Sequence, residues 1–257
     1  MYTIELSLLN KKAYDSELLL EEFHCLLGYY RKNGQLLSDN EAAYFADDKL
    51  ICNIAALELD ALHKKYTSEW ASKQLKKVEL LCGSKLQIRN LGKSFETYAG
   101  ACKCRKHKFF ILFTHLLNTA GPLDCGDCLL PVPLYKIKAL DTNLRQSILS
   151  WESNYKACDH LQLGCVVGEK WATKQMSDVN SELSKEGIDN CKRIYAATGI
   201  PTYYYLFNVR NVKAAKDKAR KCPSCQGEWL LDKSLGTLYD FKCDRCSLLS
   251  SLSANAK

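Results

Sequence analysis

The sequence predicts an α+β fold in which a mixed main domain with an embedded cysteine knuckle precedes a small C-terminal zinc ribbon. Short segments such as 3–8 alternate apolar and polar residues with the two-residue period of half-buried strands. Longer segments such as 16–30 place their apolar residues along one side of a helix. Near the C-terminus, two C-x2-C pairs lie 17 residues apart, which is the spacing of a zinc ribbon.

The N-terminal part of the main domain is predicted to combine two helices with three or four strands. The strand at 3–8 is followed by the helix at 16–30, and residues 42–56 mix β-forming and apolar residues that predict one or two strands. Residues 57–78 predict a long helix that is charged on one side, and the alternating residues 86–89 predict a further strand.

The remaining elements are predicted from apolar runs and from the positions of proline and glycine. Pro131 and Pro133 exclude a helix directly after Cys128, and Gly199, with Pro201 just beyond it, is predicted to end a helix. The elements expected in this part are a strand at 109–114, helices at 144–159 and 168–198 with a break near 178–181, a strand at 203–207 and a short basic helix at 213–221.

The C-terminal cysteines predict a closed zinc site. A C-x2-C turn offers two sulfurs to one ion, and the residues between the two pairs are long enough for a hairpin that brings the pairs together. Zinc with four thiolate ligands has no open position for water, so this site is predicted to be structural rather than catalytic. Its ligands are Cys222, Cys225, Cys243 and Cys246.

A second cysteine cluster predicts a second metal site inside the main domain. Its first half is a C-x-C pair, and His107 lies close enough in the sequence to replace one sulfur. Gly126 is expected to supply the positive φ that a metal-binding turn often needs. The alternative is that these thiols only pack in the interior. The predicted ligands are Cys102, Cys104, Cys125 and Cys128.

The same cluster contains a C-G-D-C dithiol, which raises a third possibility, thiol redox chemistry. A thioredoxin-like site begins a helix whose N-terminus lowers the pKa of the first thiol. Here Leu-Leu-Pro-Val-Pro follows Cys128 instead, so the sequence disfavours this possibility.

Composition predicts a globular, cytoplasmic protein without a membrane partner. The 257 residues are 47% hydrophobic, enough for a buried core, and no segment approaches the roughly 18 uncharged apolar residues that span a bilayer. The six single cysteines are expected to be reduced and to behave as small buried hydrophobic residues. They are Cys25, Cys52, Cys82, Cys158, Cys165 and Cys191.

The net charge of +7 is concentrated before the ribbon. Residues 208–221 contain six Lys or Arg and one Asp, whereas residues 222–257 are neutral. Four of the cations recur at intervals of three or four residues and would share one face of a helix, where they could contact phosphates. The alternative is that the cations beside the clusters offset the charge of the metal sites. The predicted nucleic-acid-binding residues are Arg210, Lys213, Lys216 and Arg220.

Catalytic motifs do not support an enzyme. The sequence has no H-E-x-x-H, P-loop, G-x-S-x-G or G-x-G-x-x-G pattern, and its five histidines are scattered. We therefore expect a protein without enzymatic activity.

The chain resembles a bacterial family of uncharacterised Zn-ribbon-containing proteins for which nucleic-acid binding has been suggested. The resemblance rests on Pro122-Leu-Asp-Cys-Gly-Asp-Cys128 with Pro131-Val-Pro-Leu-Tyr135, on Trp151-Glu-Ser-Asn-Tyr155, on Gly199-Ile-Pro-Thr-Tyr-Tyr-Tyr-Leu-Phe207, and on the ribbon cysteines. The resemblance implies zinc at the ribbon cysteines. It also implies binding of nucleic acid, because that activity has been suggested for the family.

Two functions are consistent with these observations. The first is a zinc protein that binds nucleic acid through the basic segment, and the alternative is a protein-interaction, regulatory or inhibitor (immunity-like) module stapled by structural zinc. In both, the sequence predicts a main domain at 1–207 with its knuckle at 102–128, a basic linker helix at 208–221 and the ribbon at 222–250.

Overall fold

The computed structural model describes residues 1–37, 41–93, 100–209 and 212–253 and confirms an α+β fold. The chain divides into two compact units. The first unit comprises Met1–Ala101, Thr119–Gly121 and Leu130–Gln146, and the second unit comprises Cys102–Asn118, Pro122–Leu129 and Ser147–Lys257. Among the described residues, no helix is both long and apolar enough to cross a membrane.

The first unit is built around a four-stranded antiparallel sheet. The strand order β2-β3-β1-β4, with one helix after β1 and one after β3, is the split β-α-β-β-α-β arrangement of ferredoxin-like folds. The apolar sides of both helices and one face of the sheet form a common core. The elements are β1 (Tyr2–Leu9), α1 (Ser16–Lys32), β2 (Ala43–Ala46), β3 (Lys49–Ala56), α2 (Glu69–Cys82) and β4 (Gln87–Lys93).

The predicted helix at 57–78 is wrong in its first half, because α2 begins only at Glu69. The hydroxyl of Ser68 accepts a hydrogen bond from the backbone N–H of Ala71 at 3.2 Å and caps the helix at this point. Upstream, the side chains of Asn33 and Gln35 donate to the carbonyl groups of Tyr66 (2.8 Å) and Ala61 (2.6 Å). These tertiary hydrogen bonds hold residues 57–68 as turns.

The second unit contains a six-stranded mixed sheet with the order β6-β5-β7-β10-β9-β8. Strand β7 is central and pairs in parallel with both β5 and β10. Helix α3 starts in the first unit and continues into the second from Ser147. The remaining elements are β5 (Phe110–Leu112), β6 (Leu123–Cys125), α3 (Thr142–Gly164), α4 (Glu169–Ser177), α5 (Glu182–Thr198), β7 (Thr202–Tyr205), α6 (Ala214–Lys218), β8 (Leu230–Leu235), β9 (Tyr239–Cys243) and β10 (Leu248–Ser250).

The helix break predicted near 178–181 is confirmed. Helix α4 ends at Ser177, and the hydroxyl of Ser181 caps α5 by accepting from the N–H of Ser184 at 3.0 Å. Gly199, with φ of 71°, ends α5 in the left-handed conformation, as the sequence predicted.

The hairpin at the C-terminus does not form a sheet of its own. Strand β10 extends the sheet of β5 and β7 through hydrogen bonds from Tyr204 N to the Ser247 carbonyl (2.9 Å) and from Leu206 N to the Leu249 carbonyl (2.8 Å). Residues 222–250 therefore belong to the same unit as the cysteine knuckle. This grouping differs from the predicted division at 207 and 221, because the pairing between β7 and β10 joins segments that are distant in the sequence.

Candidate metal centres

The C-terminal cluster brings four cysteine sulfurs to one point. Cys222 and Cys225 lie in the turn before β8, Cys243 ends β9, and Cys246 lies in the turn that leads into β10. The four sulfurs are all within 4.8 Å of one another, and the sulfurs of Cys225 and Cys243 are 3.6 Å apart. We call this group the ribbon cluster. It contains the four residues that the sequence predicted.

The second cluster, which we call the knuckle cluster, is also assembled. The sulfurs of Cys102, Cys104, Cys125 and Cys128 lie within 4.8 Å of one another. The sulfurs of Cys102 and Cys128 are 3.4 Å apart, and the backbone N–H of Cys104 donates to the Cys102 sulfur at 3.3 Å. The tight C-x-C turn therefore orients its two sulfurs toward the same point.

His107 lies beside the knuckle cluster and outside the four-sulfur group. Its Nδ1 atom is 3.3 Å from the Cys125 sulfur and 4.0 Å from the Cys102 sulfur. The structure thus brings Cys104, rather than His107, together with the other three sulfurs. A protonated Nδ1 would donate a hydrogen bond to the Cys125 sulfur, which is the usual role of a group that supports a metal ligand.

The three C-x2-C turns share one backbone conformation. The residue after the second cysteine is left-handed in each of them, at Leu129 (φ 57°), Gln226 (φ 59°) and Ser247 (φ 53°). In two of the turns this residue donates its N–H to the carbonyl of the first cysteine, at 2.8 Å for Leu129 and 2.9 Å for Gln226. Such residues other than glycine cost roughly 1–2 kcal/mol each, so the repeated conformation indicates that the turns are shaped to present their sulfurs.

The expectation for Gly126 is corrected by this geometry, because the positive φ of the knuckle turn belongs to Leu129. Gly126 is required for a different reason. A Cβ atom at Gly126 would lie 2.2 Å from the ring of Phe109, so the absence of a side chain permits the ring to pack against the turn.

Both clusters fit a tetrahedral metal ion. Four sulfurs bound at about 2.3 Å in a tetrahedron lie about 3.8 Å apart, close to the separations measured in both groups. All fourteen cysteines are free thiols, and the sulfur separations are far longer than the 2.05 Å of a disulfide. Each group offers four protein ligands to one ion, so each can bind a metal, and each would be closed to substrate.

The thiols of the ribbon cluster differ in their pKa. Burial raises the pKa of Cys243 to about 12, whereas the backbone N–H of Gly227 stabilises the Cys225 thiolate and lowers its pKa to about 7. In the knuckle cluster, burial raises the pKa of Cys102 well above its usual range. Metal binding must therefore displace the protons of Cys243 and Cys102, which makes the metal affinity fall as the pH falls.

The expectation for the single cysteines holds for four of the six. Cys52, Cys82, Cys158 and Cys191 are buried, as expected for small hydrophobic residues. Cys25 and Cys165 are exposed instead: Cys25 lies on the outer side of α1, and Cys165 lies in the turn that follows α3.

Three of the four predicted nucleic-acid-binding residues lie in the part of the chain that the structure describes. Arg210 lies outside the described residues, Lys213 and Lys216 are exposed, and the side chain of Arg220 is only 10% exposed. Helix α6 covers only residues 214–218, so a continuous helical face from 210 to 220 is not formed within the described residues.

Arg220 is held in the interior by an ion pair, hydrogen bonds and cation–π contacts. Its Nε atom lies 3.3 Å from the carboxylate of Asp217, and its guanidinium donates to the Ser251 carbonyl at 2.8 Å and the Ser250 hydroxyl at 2.9 Å. The guanidinium also lies 3.9 Å from the ring centre of Phe241 and 4.6 Å from that of Trp229. Arg220 therefore stabilises the fold rather than facing a ligand.

Lys218, which the sequence reasoning missed, is exposed near Lys213 and Lys216. Its position does not fit the three- and four-residue spacing of the predicted helical face. Because α6 covers only residues 214–218, that spacing does not determine which lysines are exposed. Asp217, the single acidic residue of 208–221, points inward and is fully buried. The exposed side of this segment is therefore more basic than the sequence alone indicates.

Charges next to the clusters do not form a basic surface once metal is bound. Within three residues of the eight cysteines the sequence has seven Lys or Arg and five Asp or Glu, an excess of two positive charges. A divalent ion with four thiolates has a formal charge of −2, so two such sites contribute −4 and the loaded clusters with their flanks are net negative. Most of these cations therefore offset the charge of the sites.

Comparison with known proteins finds domains of unknown function along most of the chain. DUF2310 matches residues 104–207, DUF8594 matches residues 212–256 and DUF8589 matches residues 1–92. No solved structure shows significant similarity to the chain.

Two relatives from Haemophilus influenzae, each described as an uncharacterized protein, are similar to the chain. One is 31% identical over 237 residues, which cover 90% of each chain. The other is 39% identical over 145 residues, which cover 56% of this chain and 71% of the relative. The expected resemblance to uncharacterised bacterial proteins is thus confirmed at this level, and the chain belongs to the family of the first of these Haemophilus influenzae proteins.

Proposed function

We propose that this chain is a non-enzymatic zinc protein that binds nucleic acid through Lys213, Lys216 and Lys218. We call these residues the three-lysine surface. The observation that carries the proposal is the inward orientation of Asp217, which leaves three exposed lysines in one short segment. Among the described residues, no carboxylate oxygen lies within 4.0 Å of their ammonium groups.

Zinc is the metal that best matches the ligands of both clusters. Four thiolates in a tetrahedron suit zinc or an iron–sulfur cluster. The spacing of the ribbon cluster and the closed four-sulfur arrangement favour a single structural zinc ion in each group. In this role the metal holds the turns at one end of the sheet and supplies no catalytic chemistry.

The charged residues of the basic segment have two different roles. Asp217 and Arg220 form a buried ion pair inside the fold, whereas the three lysines are exposed. Asp217 accepts hydrogen bonds from Asn208 at 3.1 Å and from the N–H of Ser253 at 2.6 Å, so its charge is used inside the fold. Lys221 is paired with Glu228. The three lysines remain available to phosphates, and nucleic acids are the polyanions that such a surface attracts without a shaped pocket.

Replacing all three lysines with alanine is expected to weaken nucleic-acid binding and to reduce its salt dependence. Losing three phosphate contacts should lower the slope of log K against log salt by about 2.7 for duplex DNA and about 2 for single strands. Fluorescence anisotropy with labelled single- and double-stranded DNA and RNA over a series of salt concentrations measures this slope.

A matched control is the triple alanine variant at Lys170, Lys174 and Lys185. These lysines are exposed and also lie in the second unit, so this variant has the same change in net charge. The proposal requires that the control keeps the original slope. Equal losses in both variants, or no measurable binding by the unaltered chain, would contradict it.

A second candidate function, protein interaction, is favoured by an exposed apolar turn between α3 and α4. Val166 and Val167 are 83% and 74% exposed, and Leu163 and Trp171 are each 56% exposed. Scattered apolar residues are common on surfaces, but four of them within nine positions form the type of patch that often contacts a partner.

A photo-crosslinking amino acid at position 166 distinguishes the two functions. If the turn docks a protein, crosslinking in nuclease-treated extract should yield one dominant adduct, and the same probe at the exposed Lys192 should not yield it. If no adduct is specific to position 166, the protein-interaction role of this turn is ruled out.

A further inference from the structure

Both cysteine clusters lie at the same end of the six-stranded sheet. At one side of β7, Phe110 at the start of β5 is paired with Cys125 of the knuckle cluster and with Thr202. At the other side, Leu248 at the start of β10 is paired with Cys243 of the ribbon cluster and with Tyr204. The two groups therefore lie on opposite sides of the central strand β7, at nearly the same position along its length.

Side chains connect the two clusters across β7. The ring of Phe109 packs on Gly126 in the knuckle turn, so closely that no Cβ atom would fit. Phe109 makes an edge-to-face contact with Tyr203, with ring centres 5.4 Å apart. The hydroxyl of Tyr203 donates to the carboxylate of Asp244 at 2.6 Å, and Asp244 lies in the ribbon turn between Cys243 and Cys246.

Lys242 completes this connection. Its ammonium group lies 4.6 Å from the ring centre of Tyr203 and 5.4 Å from that of Phe109, and it donates to Asp244 at 2.5 Å. We call Phe109, Tyr203, Lys242 and Asp244 the bridge. Each of its members contacts another member. Phe109 packs against the turn of the knuckle cluster, and Asp244 lies in the turn of the ribbon cluster.

We propose that the two clusters bind zinc cooperatively and that the bridge couples them. This inference rests on the proposed function, because it requires zinc in both clusters. We expect the turns and side chains of each cluster to be less firmly fixed when no metal is bound. An ion that fixes one turn also orders the bridge, and the conformational entropy lost in this ordering is not lost again when the second ion binds.

Direct repulsion between the two sites acts in the opposite direction but is weak. Cys125 on β6 and Cys243 on β9 are separated by four strand spacings, or roughly 19 Å, which exceeds the Debye length of about 8 Å at physiological salt. The ammonium group of Lys242 also lies between them. The net coupling is therefore positive, and couplings of this kind typically change affinity by about 5- to 150-fold.

Zinc competition with a chromophoric chelator tests the coupling on the full chain. The C102S/C104S variant should bind zinc at the ribbon cluster about tenfold more weakly than the unaltered chain. The Y203F variant keeps the ring and removes only the hydroxyl that holds Asp244. In the Y203F background, the effect of C102S/C104S should fall below about threefold.

Y205F is the matched control, because Tyr205 lies on the same strand as Tyr203 but has no part in the bridge. Its hydroxyl lies 3.0 Å from the hydroxyl of Ser251. In this background the tenfold effect should persist. If C102S/C104S does not fold, the Y203F chain alone suffices, since its two-ion titration should lose the steepness seen with the unaltered chain and with Y205F.

Independent binding would overturn the coupling. This result would be equal ribbon-cluster affinity with and without C102S/C104S, or the same titration steepness in Y203F and in the unaltered chain. In either case the unaltered chain would still contain two zinc ions. If the zinc proposal itself fails, one or both clusters of the unaltered chain contain no zinc, so the two failures can be distinguished.

Discussion

Cys243→Ser is expected to abolish zinc binding at the ribbon cluster and to remove the cooperative unfolding of the second unit. Structural zinc contributes apparent binding free energies of about 10–16 kcal/mol in small zinc domains, as large as the whole stability of about 5–15 kcal/mol of a typical domain. Cys243 is buried at the end of β9, beside the central strands, so its loss affects both the metal and the sheet.

Mass spectrometry and thermal unfolding measure this effect together. The unaltered chain should contain two zinc ions and no iron, and should melt at a lower temperature when a chelator is added. The C243S chain should contain fewer than two zinc ions and should melt at a lower temperature than the unaltered chain. The control is Cys165→Ser, which removes an exposed thiol and should leave both quantities unchanged. A C243S chain with the original melting temperature, insensitive to chelator, would exclude a structural metal.

Arg220→Ala is expected to lower the free energy of unfolding by about 3–5 kcal/mol. The change leaves the carboxylate of Asp217, which is 0% exposed, buried without its cation. It also removes the guanidinium that packs against the rings of Trp229 and Phe241. Arg220→Lys should recover only part of this loss, because an ammonium group cannot reproduce the planar contacts.

Urea unfolding measures the change, and Lys216→Ala is its control. Lys216 is exposed in the short helix α6, four residues before Arg220, so its replacement should change the free energy of unfolding by less than about 0.5 kcal/mol. If R220A is as stable as K216A but binds nucleic acid more weakly, then Arg220 acts on the ligand and the structural role assigned to it is wrong.

The two four-cysteine groups were predictable because their signal is local. A C-x2-C turn places two sulfurs together wherever it occurs, and the hairpin between the two pairs needs only a suitable length. The same locality made the break before α5 and its end at Gly199 predictable, since the signals for both act within one helical turn.

The features that the sequence did not reveal depend on distant partners. The turns at 57–68 exist because Asn33 and Gln35, from before β2, take up two of their carbonyl groups. Arg220 is buried because Trp229 and Phe241, from the hairpin, provide aromatic surfaces for it. A helical pattern or a charge count contains no information about such partners.

The central position of β7 has a consequence for biosynthesis. One of its two neighbours, β10, is synthesised only after β8 and β9, so β7 keeps one open edge until this later segment has emerged from the ribosome. This edge carries three consecutive tyrosines, Tyr203 to Tyr205, in an apolar strand of the type that pairs readily with other chains. The nascent protein is therefore most exposed to aggregation in the interval between the synthesis of β7 and that of β10.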